Sequence, residues 1–164
     1  MAKARTVGIG MDNSPSSKSA LRWAVDNLMG AEDRIILIHV QSPSSDCSKK
    51  KLFENAGSPF IPLEEFKEIN VSKQYGLTPD PEVLDVLDTV SRTKGAKVLV
   101  KVYWGDPREK LCDAVEDLKL DSLVVGSRGL GVIKRVLLGS VSNYVVTNAT
   151  CPVTVVKGTP LSKP

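Results

Sequence analysis

Two stretches of this chain are apolar almost without a break: RIILIHV at 34–40 and SLVVG at 122–126. A strand with one face in water alternates polar and apolar residues, whereas a strand covered on both faces does not. Such runs therefore belong inside a parallel sheet with helices packed on either side. Three further Val- and Ile-rich segments complete the set: TVGIGM at 6–11, VLVKVYW at 98–104 and VTVVK at 153–157. The 98–104 segment alternates, with Val98, Val100, Val102 and Trp104 set against Leu99, Lys101 and Tyr103. That half-polar pattern suits an edge of the sheet.

Helical patterns fall between these segments. Over 14–30, Leu21, Ala24, Val25 and Leu28 lie on one stripe and Gly30 supplies a stop. Over 80–95, Val83, Leu84, Leu87 and Val90 repeat the stripe, with Gly95 past the end. Over 106–120, Asp106 reads as an N-cap, Pro107 as the first helical residue and Glu109 as the third position after the cap. Leu111, Val115 and Leu118 form the apolar face of that helix. A last helix begins near Ser140 and ends before Cys151-Pro152. Strands alternating with helices predict an α/β fold whose parallel sheet is wound by right-handed crossovers.

The 164 residues suit one domain with a sizeable core. Residues 41–79 are a Ser-, Lys- and Pro-rich excursion expected to lack regular structure in part, and 158–164 form a short tail. A net charge of +3 with both signs dispersed gives no footing for a nucleic acid or an anionic membrane. Cys47, Cys112 and Cys151 are odd in number and far apart, so reduced thiols are expected and no disulfide framework. The apolar segment after MAKAR is too short for a signal sequence or a membrane span, and a soluble, cytoplasmic chain is the expectation.

No catalytic set assembles. The lone His39 sits in an apolar strand and reads as a satisfied core histidine; no nucleophile, base and orienter come together around it. One histidine and scattered cysteines supply no zinc site. Neither Cys112 nor Cys151 has an arginine at the spacing of a thiol phosphatase, since Leu118 and Lys157 stand there. Trp23 and Trp104 read as packing residues, and the serines of 14–17 and 42–46 as exposed phosphate acceptors.

Ligands of open parallel sheets bind past the carboxyl ends of the strands, where connections leave for opposite faces. Glycines cluster there after the first strand, GMDNS, and after the fourth, GSRGLG. In GSRGLGVIKRVLLGS (126–140), Gly126, Gly129 and Gly131 allow successive N–H groups to converge on an anion. Gly139, Ser140 and Ser142 then open a helix, whose N-terminus also favours phosphate. A P-loop is excluded, because Val132 and Ile133 stand where its Lys and Ser/Thr would be. A dinucleotide fingerprint fails as well: GIGMDN has Asn13 at the third glycine position. Plainer roles stay open. The glycines can serve turns, Ser140 and Ser142 can be caps, Asp12 can cap the first helix, meet a ligand or do both, and Arg128 can steer phosphate or be solvated like Lys134 and Arg135.

Gly126-x2-Gly129-x9-Gly139-Ser140 resembles the G-x2-G-x9-G-[ST] signature of the universal stress protein family. Asp12 at the first strand end, His39-Val40 at the second and CPVTVVK at 151–157 are similar to that family too. The resemblance spans the chain apart from 41–79. That excursion and Trp104-Gly105-Asp106 resemble plant single-domain members more than short bacterial ones.

The resemblance implies a Rossmann-like five-stranded sheet, order 3-2-1-4-5, binding ATP or AMP between strands one and four. It implies that Gly10, Met11 and Asp12 line the site, with Asp12 at the ribose or a metal-bound phosphate, and that the Val40 backbone meets the adenine edge. It assigns Gly126, Ser127, Arg128 and Gly129 to the phosphates, with Gly139, Ser140, Val141 and Ser142, and it lets magnesium accompany ATP. It also implies a homodimer paired through Val153, Thr154, Val155 and Val156. The role expected is a stress-response regulator that binds nucleotide without turning it over. The alternatives are a slow ATP hydrolase and a ligand-independent, chaperone-like dimer.

Overall fold

The apolar runs pair into one sheet. In the computed structural model, which describes residues 4–44, 47–127 and 140–157, six strands form it. They are β1 (Thr6–Gly10), β2 (Arg34–Gln41), β3 (Ile61–Pro62), β4 (Lys97–Trp104), β5 (Ser122–Gly126) and β6 (Val153–Val156), in the order β3-β4-β2-β1-β5-β6. Every neighbouring pair is parallel except β3 with β4. The five long segments keep the order 3-2-1-4-5, and β3 is an addition that the sequence reading lacks.

That addition changes the reading of β4, which is not a bare edge. Ile61 and Pro62 pair antiparallel with Val100 and Leu99. Pro62 has no N–H to offer a further strand, so the new edge ends there. The polar member of the alternation, Lys101, holds its Nζ over the rings of Phe60 (5.4 Å) and Tyr103 (5.7 Å).

Two helices pack on one face of the sheet, α1 (Pro15–Asn27) and, further along the chain, α5 (Pro81–Lys94). Ala20, Leu21 and Ala24 of α1 and Val83, Leu87 and Val90 of α5 are buried there with Val7, Ile9, Leu37 and Val100. The other face carries α6 (Pro107–Asp117) and α7 (Ser140–Asn148), burying Leu111, Ala114, Val115 and Val145 on Ile36, Ile38, Leu123 and Val125. The α5 and α6 boundaries follow the sequence: Asp80 and Asp106 cap them through backbone N–H groups, and Gly95 ends α5 at φ 67°. The α1 stop differs, because its C-cap is Leu28. Gly30 is drawn away by Asp33, whose Oδ2 accepts its N–H at 2.8 Å while Oδ1 accepts that of Arg5.

The excursion is more ordered than its composition implies. Past residue 46 it forms α2 (Lys50–Phe53), β3, α3 (Leu63–Phe66) and α4 (Ile69–Gln74). Ile61, Leu63, Phe66, Tyr75 and Leu77 are buried in the α1/α5 core. Ser58 fastens the segment to β4, its N–H donating to the Val102 carbonyl (2.8 Å) and its Oγ accepting from Val102 N (2.9 Å). The apolar residues of the second half lie at irregular spacings, so no single periodicity announces them.

Candidate functional site

The strand order reverses direction between β1 and β5: from β1 the chain crosses to β2 on one side, and from β5 to β6 on the other. A crevice follows at their carboxyl ends. Its walls are set by where pairing stops. The β1/β5 register ends at Ile9↔Val124, while β5 continues to Gly126, paired with Val156 of β6. Alternate residues of a strand turn their peptide groups the same way. Ser127 N donates to Val156 O, toward β6, so the Gly126 amide and carbonyl face the opened gap.

The same parity acts across β1 and β2. Their ladder ends at Gly10↔Ile38, with one more bond from Met11 N to Ile38 O (2.9 Å). Ile38 thus faces β1, and Val40, two residues on, presents its N–H and C=O past the end of that strand. Gln41 faces the other way, accepting from Gly105 N. The Val40 peptide is therefore a donor–acceptor edge directed into the crevice.

Asp12 stands between these two edges and is exposed. It is not the cap of α1: Ser14 is, its Oγ accepting from Ser17 N at 3.1 Å. Asp12 Oδ1 accepts from Ser14 N (3.0 Å) and its amide donates to Ser17 Oγ (3.3 Å). This turn leaves the second carboxylate oxygen toward solvent, and it buries Ser14, Ser16 and Ser17, which are therefore not the exposed acceptors the sequence led us to expect. Ser42 and Ser44 are exposed.

Gly126 has a steric role the motif alone does not reveal. A Cβ there would lie 2.3 Å from Ser16 Oγ and 2.6 Å from both Ser16 C and O. The first turn of α1 can sit on the end of β5 only because residue 126 has no side chain. The signal was present in the small residues of SPSS, but only the long-range contact gives it meaning. Gly10 differs: its added Cβ would meet Val125 at an ordinary 3.4 Å.

Across the gap, Ser127 and Ser142 are both buried, and Ser142 Oγ donates to the Ser127 carbonyl at 3.2 Å. That bond ties the N-terminus of α7 to the end of β5 and spends this hydroxyl on backbone. Ser140 is exposed and Val141 half-buried at the start of α7. Arg128, Gly129 and Gly139 lie outside the described residues. The structure thus brings together Gly10, Met11, Asp12, Val40, Gly126 and Ser127, with Ser140, Val141 and Ser142 on the α7 side.

His39 is buried as expected but, among the described residues, is not satisfied: its Nε2 has no hydrogen-bond partner there, and neither has the buried Trp104 Nε1. Burial drives the imidazole pKa down to about 4, partly opposed by the Asp12 carboxylate, so the ring is neutral at physiological pH. Cys112 and Cys151 are half-buried free thiols whose pKa values burial pushes up, which makes them weak nucleophiles. Among the described residues, no three His, Cys, Asp or Glu side chains gather as a metal site, and no helix is long and apolar enough to cross a membrane.

An open α/β sheet with a crevice at its switch point, edged by peptide groups unpaired among the described residues and by the exposed Asp12 carboxylate, defines the class of protein. Its family follows from comparison: the chain belongs to the universal stress protein family, whose model matches residues 3–157. It is 35% identical over 167 residues to universal stress protein PHOS34 of Arabidopsis thaliana, covering 93% of this chain and 62% of that protein. The chain thus spans less than two thirds of that relative. It is 31% identical over 148 residues to the universal stress protein A-like protein of the same plant, covering 88% of this chain and 79% of the relative. Among solved structures it is similar to UspA from Lactobacillus plantarum, with TM-score 0.63 and 19% identity over 95% of this chain and 99% of that one. It is also similar to an Arabidopsis thaliana family member with AMP bound, with TM-score 0.58 and 24% identity over 98% and 96% of the two chains. A universal stress protein in complex with cAMP matches at TM-score 0.58 and 21% identity, over 96% and 100%.

Proposed function

We propose that this chain is a cytoplasmic, adenine-nucleotide-binding regulator that acts by binding ATP or AMP and not by turning it over. The observation that carries the reading is the pair of peptide edges, Val40 and Gly126, that face one crevice on either side of the exposed Asp12. An N–H beside a C=O matches the ring nitrogen and amino group of adenine, and a carboxylate between base and phosphate positions matches ribose hydroxyls. The AMP and cAMP carried by two structures of the same fold support the ligand class.

The phosphates would then extend past Gly126 and Ser127 toward the start of α7, since a helix N-terminus favours anions. Magnesium would arrive on the ATP phosphates, which with water supply most of the oxygens this cation demands. The homodimer belongs to the same reading, with the open edge of β6 as its seam.

The test is direct. Purified protein is denatured and any released nucleotide identified, after which AMP and ATP are titrated calorimetrically into the ligand-free chain. Binding at micromolar to low millimolar nucleotide is expected, and no heat at millimolar AMP or ATP would refute the reading. Asp12→Asn should weaken AMP about tenfold or more, the effect of losing a charged hydrogen-bond acceptor, with the melting temperature nearly unchanged because the side chain is exposed.

A further inference from the structure

Among the described residues, the buried His39 Nε2 and Trp104 Nε1 have no hydrogen-bond partner, and the site described above does not account for them. Each belongs to a residue more than nine-tenths buried, and an unmade hydrogen bond in such a place is costly. They sit close together by register. His39 pairs with Val102 across β2 and β4, and Trp104 lies two residues further along β4 on the same face. That face is the α1/α5 face, since Val100, Val102 and Trp104 all belong to its core.

Their chemistry is complementary. The indole N–H can only donate, and a neutral imidazole with its proton on Nδ1 offers Nε2 as an acceptor. Both groups are uncharged, so they suit a neutral ligand group and not a phosphate.

The pair also lies beside the crevice. One step past Gly10↔Ile38, the β1/β2 register sets Met11 next to His39 on the same face. Met11 therefore lies between the imidazole and the end of β1, where Asp12 follows it, and the Asp12 carboxylate is near enough to act on the imidazole's charge. The Met11 side chain is buried in that core, and Ser17 Oγ donates to its Sδ at 3.4 Å. On the far side Phe66 roofs the imidazole, its ring centroid 6.0 Å away and tilted 45°. A thioether with three rotatable bonds is well suited to swing from such a position.

We infer that His39 and Trp104 form a specificity-determining pocket for the exocyclic amine and a ring nitrogen of an adenine base, opened when Met11 turns aside. The amine donates one hydrogen to His39 Nε2, its other hydrogen goes to the Val40 carbonyl, and the indole N–H of Trp104 donates to a ring nitrogen. The inference rests on the nucleotide-binding reading and adds side-chain recognition to a base otherwise held by backbone.

A chemical double-mutant cycle tests it with the full chain. AMP and purine riboside 5′-monophosphate, which lacks only the amine, are titrated into wild type and His39→Phe. Deleting the amine should cost wild type about fivefold more affinity than it costs the variant, because the Val40 contact is common to both. In parallel, the two indole N–H resonances of the wild type are followed as AMP is added, with Trp104→Phe assigning the Trp104 signal. The Trp104 resonance should move downfield while that of Trp23 stays in place. Equal losses in both proteins, or a Trp104 resonance unmoved in AMP-saturated wild type, would overturn the inference and leave nucleotide binding intact. No binding of AMP to wild type would overturn both. Should His39→Phe fail to fold, the wild-type indole titration still decides.

Discussion

One missing methyl group governs how α1 meets β5. With Ser16 backbone atoms 2.6 Å from where a Gly126 Cβ would stand, Gly126→Ala must push the first turn of α1 off the strand. Overpacking of this kind costs about 1–3 kcal/mol, to be read as a lower urea midpoint. Gly10→Ala, with its nearest contact at 3.4 Å, should cost less than about 1 kcal/mol. The sequence marked Gly126 as a motif residue, but for a ligand; that it also carries a helix–strand contact depends on a residue 110 positions away, which no local pattern displays. His39 was likewise legible as buried, and its lack of a partner among the described residues was not. Its folded pKa of about 4 lies below the unfolded 6.5, so the unfolded chain gains a proton first as pH falls. Stability is then full above pH 6.5 and declines toward pH 4, by up to about 3 kcal/mol from this residue. Urea midpoints at pH 7 and pH 4.5 should differ more for wild type than for His39→Phe; equal differences would show that the imidazole does not drive the loss.

At the scale of elements, local chemistry was the reliable guide. Asp80-Pro81 and Asp106-Pro107 announce helix starts because a short carboxylate caps free N–H groups and proline at the first position fits the helix. Asp80 does more than cap. It also binds Lys18 Nζ of α1 at 2.7 Å, which holds its carboxyl below the usual range, while Glu82 pairs with Arg22 and Lys18. Asp80→Ala should therefore cost about 1–2 kcal/mol, mainly the lost cap, since exposed ion pairs contribute little. Lys18→Ala should cost well under half as much, and 0.5 M salt should narrow that smaller effect without abolishing the first. Comparing urea midpoints of the two variants at low and high salt separates cap from charge. The excursion was the element-scale miss. Its Ile61, Leu63 and Phe66 reach the core where β3 pairs with β4 and Ser58 ties the segment to Val102, a contact 44 residues apart in sequence.

At the scale of the whole molecule, the unbroken apolar runs required a parallel sheet, and the strand order places β1 beside β5, so the crevice was legible in outline. Its detailed edges were not, because they depend on where each ladder stops: one residue more of β1/β2 pairing would change which peptide groups stay free. The far edge of the sheet is β6, whose four residues are all only half-buried. Leu123 N donates to Pro152 O and Ser127 N to Val156 O, so residues of even number turn their peptides to β5. Val153 and Val155 turn theirs outward, where a second copy of β6 can pair across a two-fold. Val155→Pro removes one outward N–H and leaves every bond to β5 in place, and proline is tolerated at such an edge. If β6 is the seam, wild type should sediment as a dimer and Val155→Pro as a folded monomer with unchanged helix content. A variant that stays dimeric would move the seam elsewhere, and a monomeric wild type would remove it. Because Gly126 pairs with Val156 and Ser127 bonds to it, a partner strand on β6 would also steady one wall of the crevice. Nucleotide affinity in the Val155→Pro monomer should consequently fall, by no more than about tenfold, since the crevice itself lies within one chain.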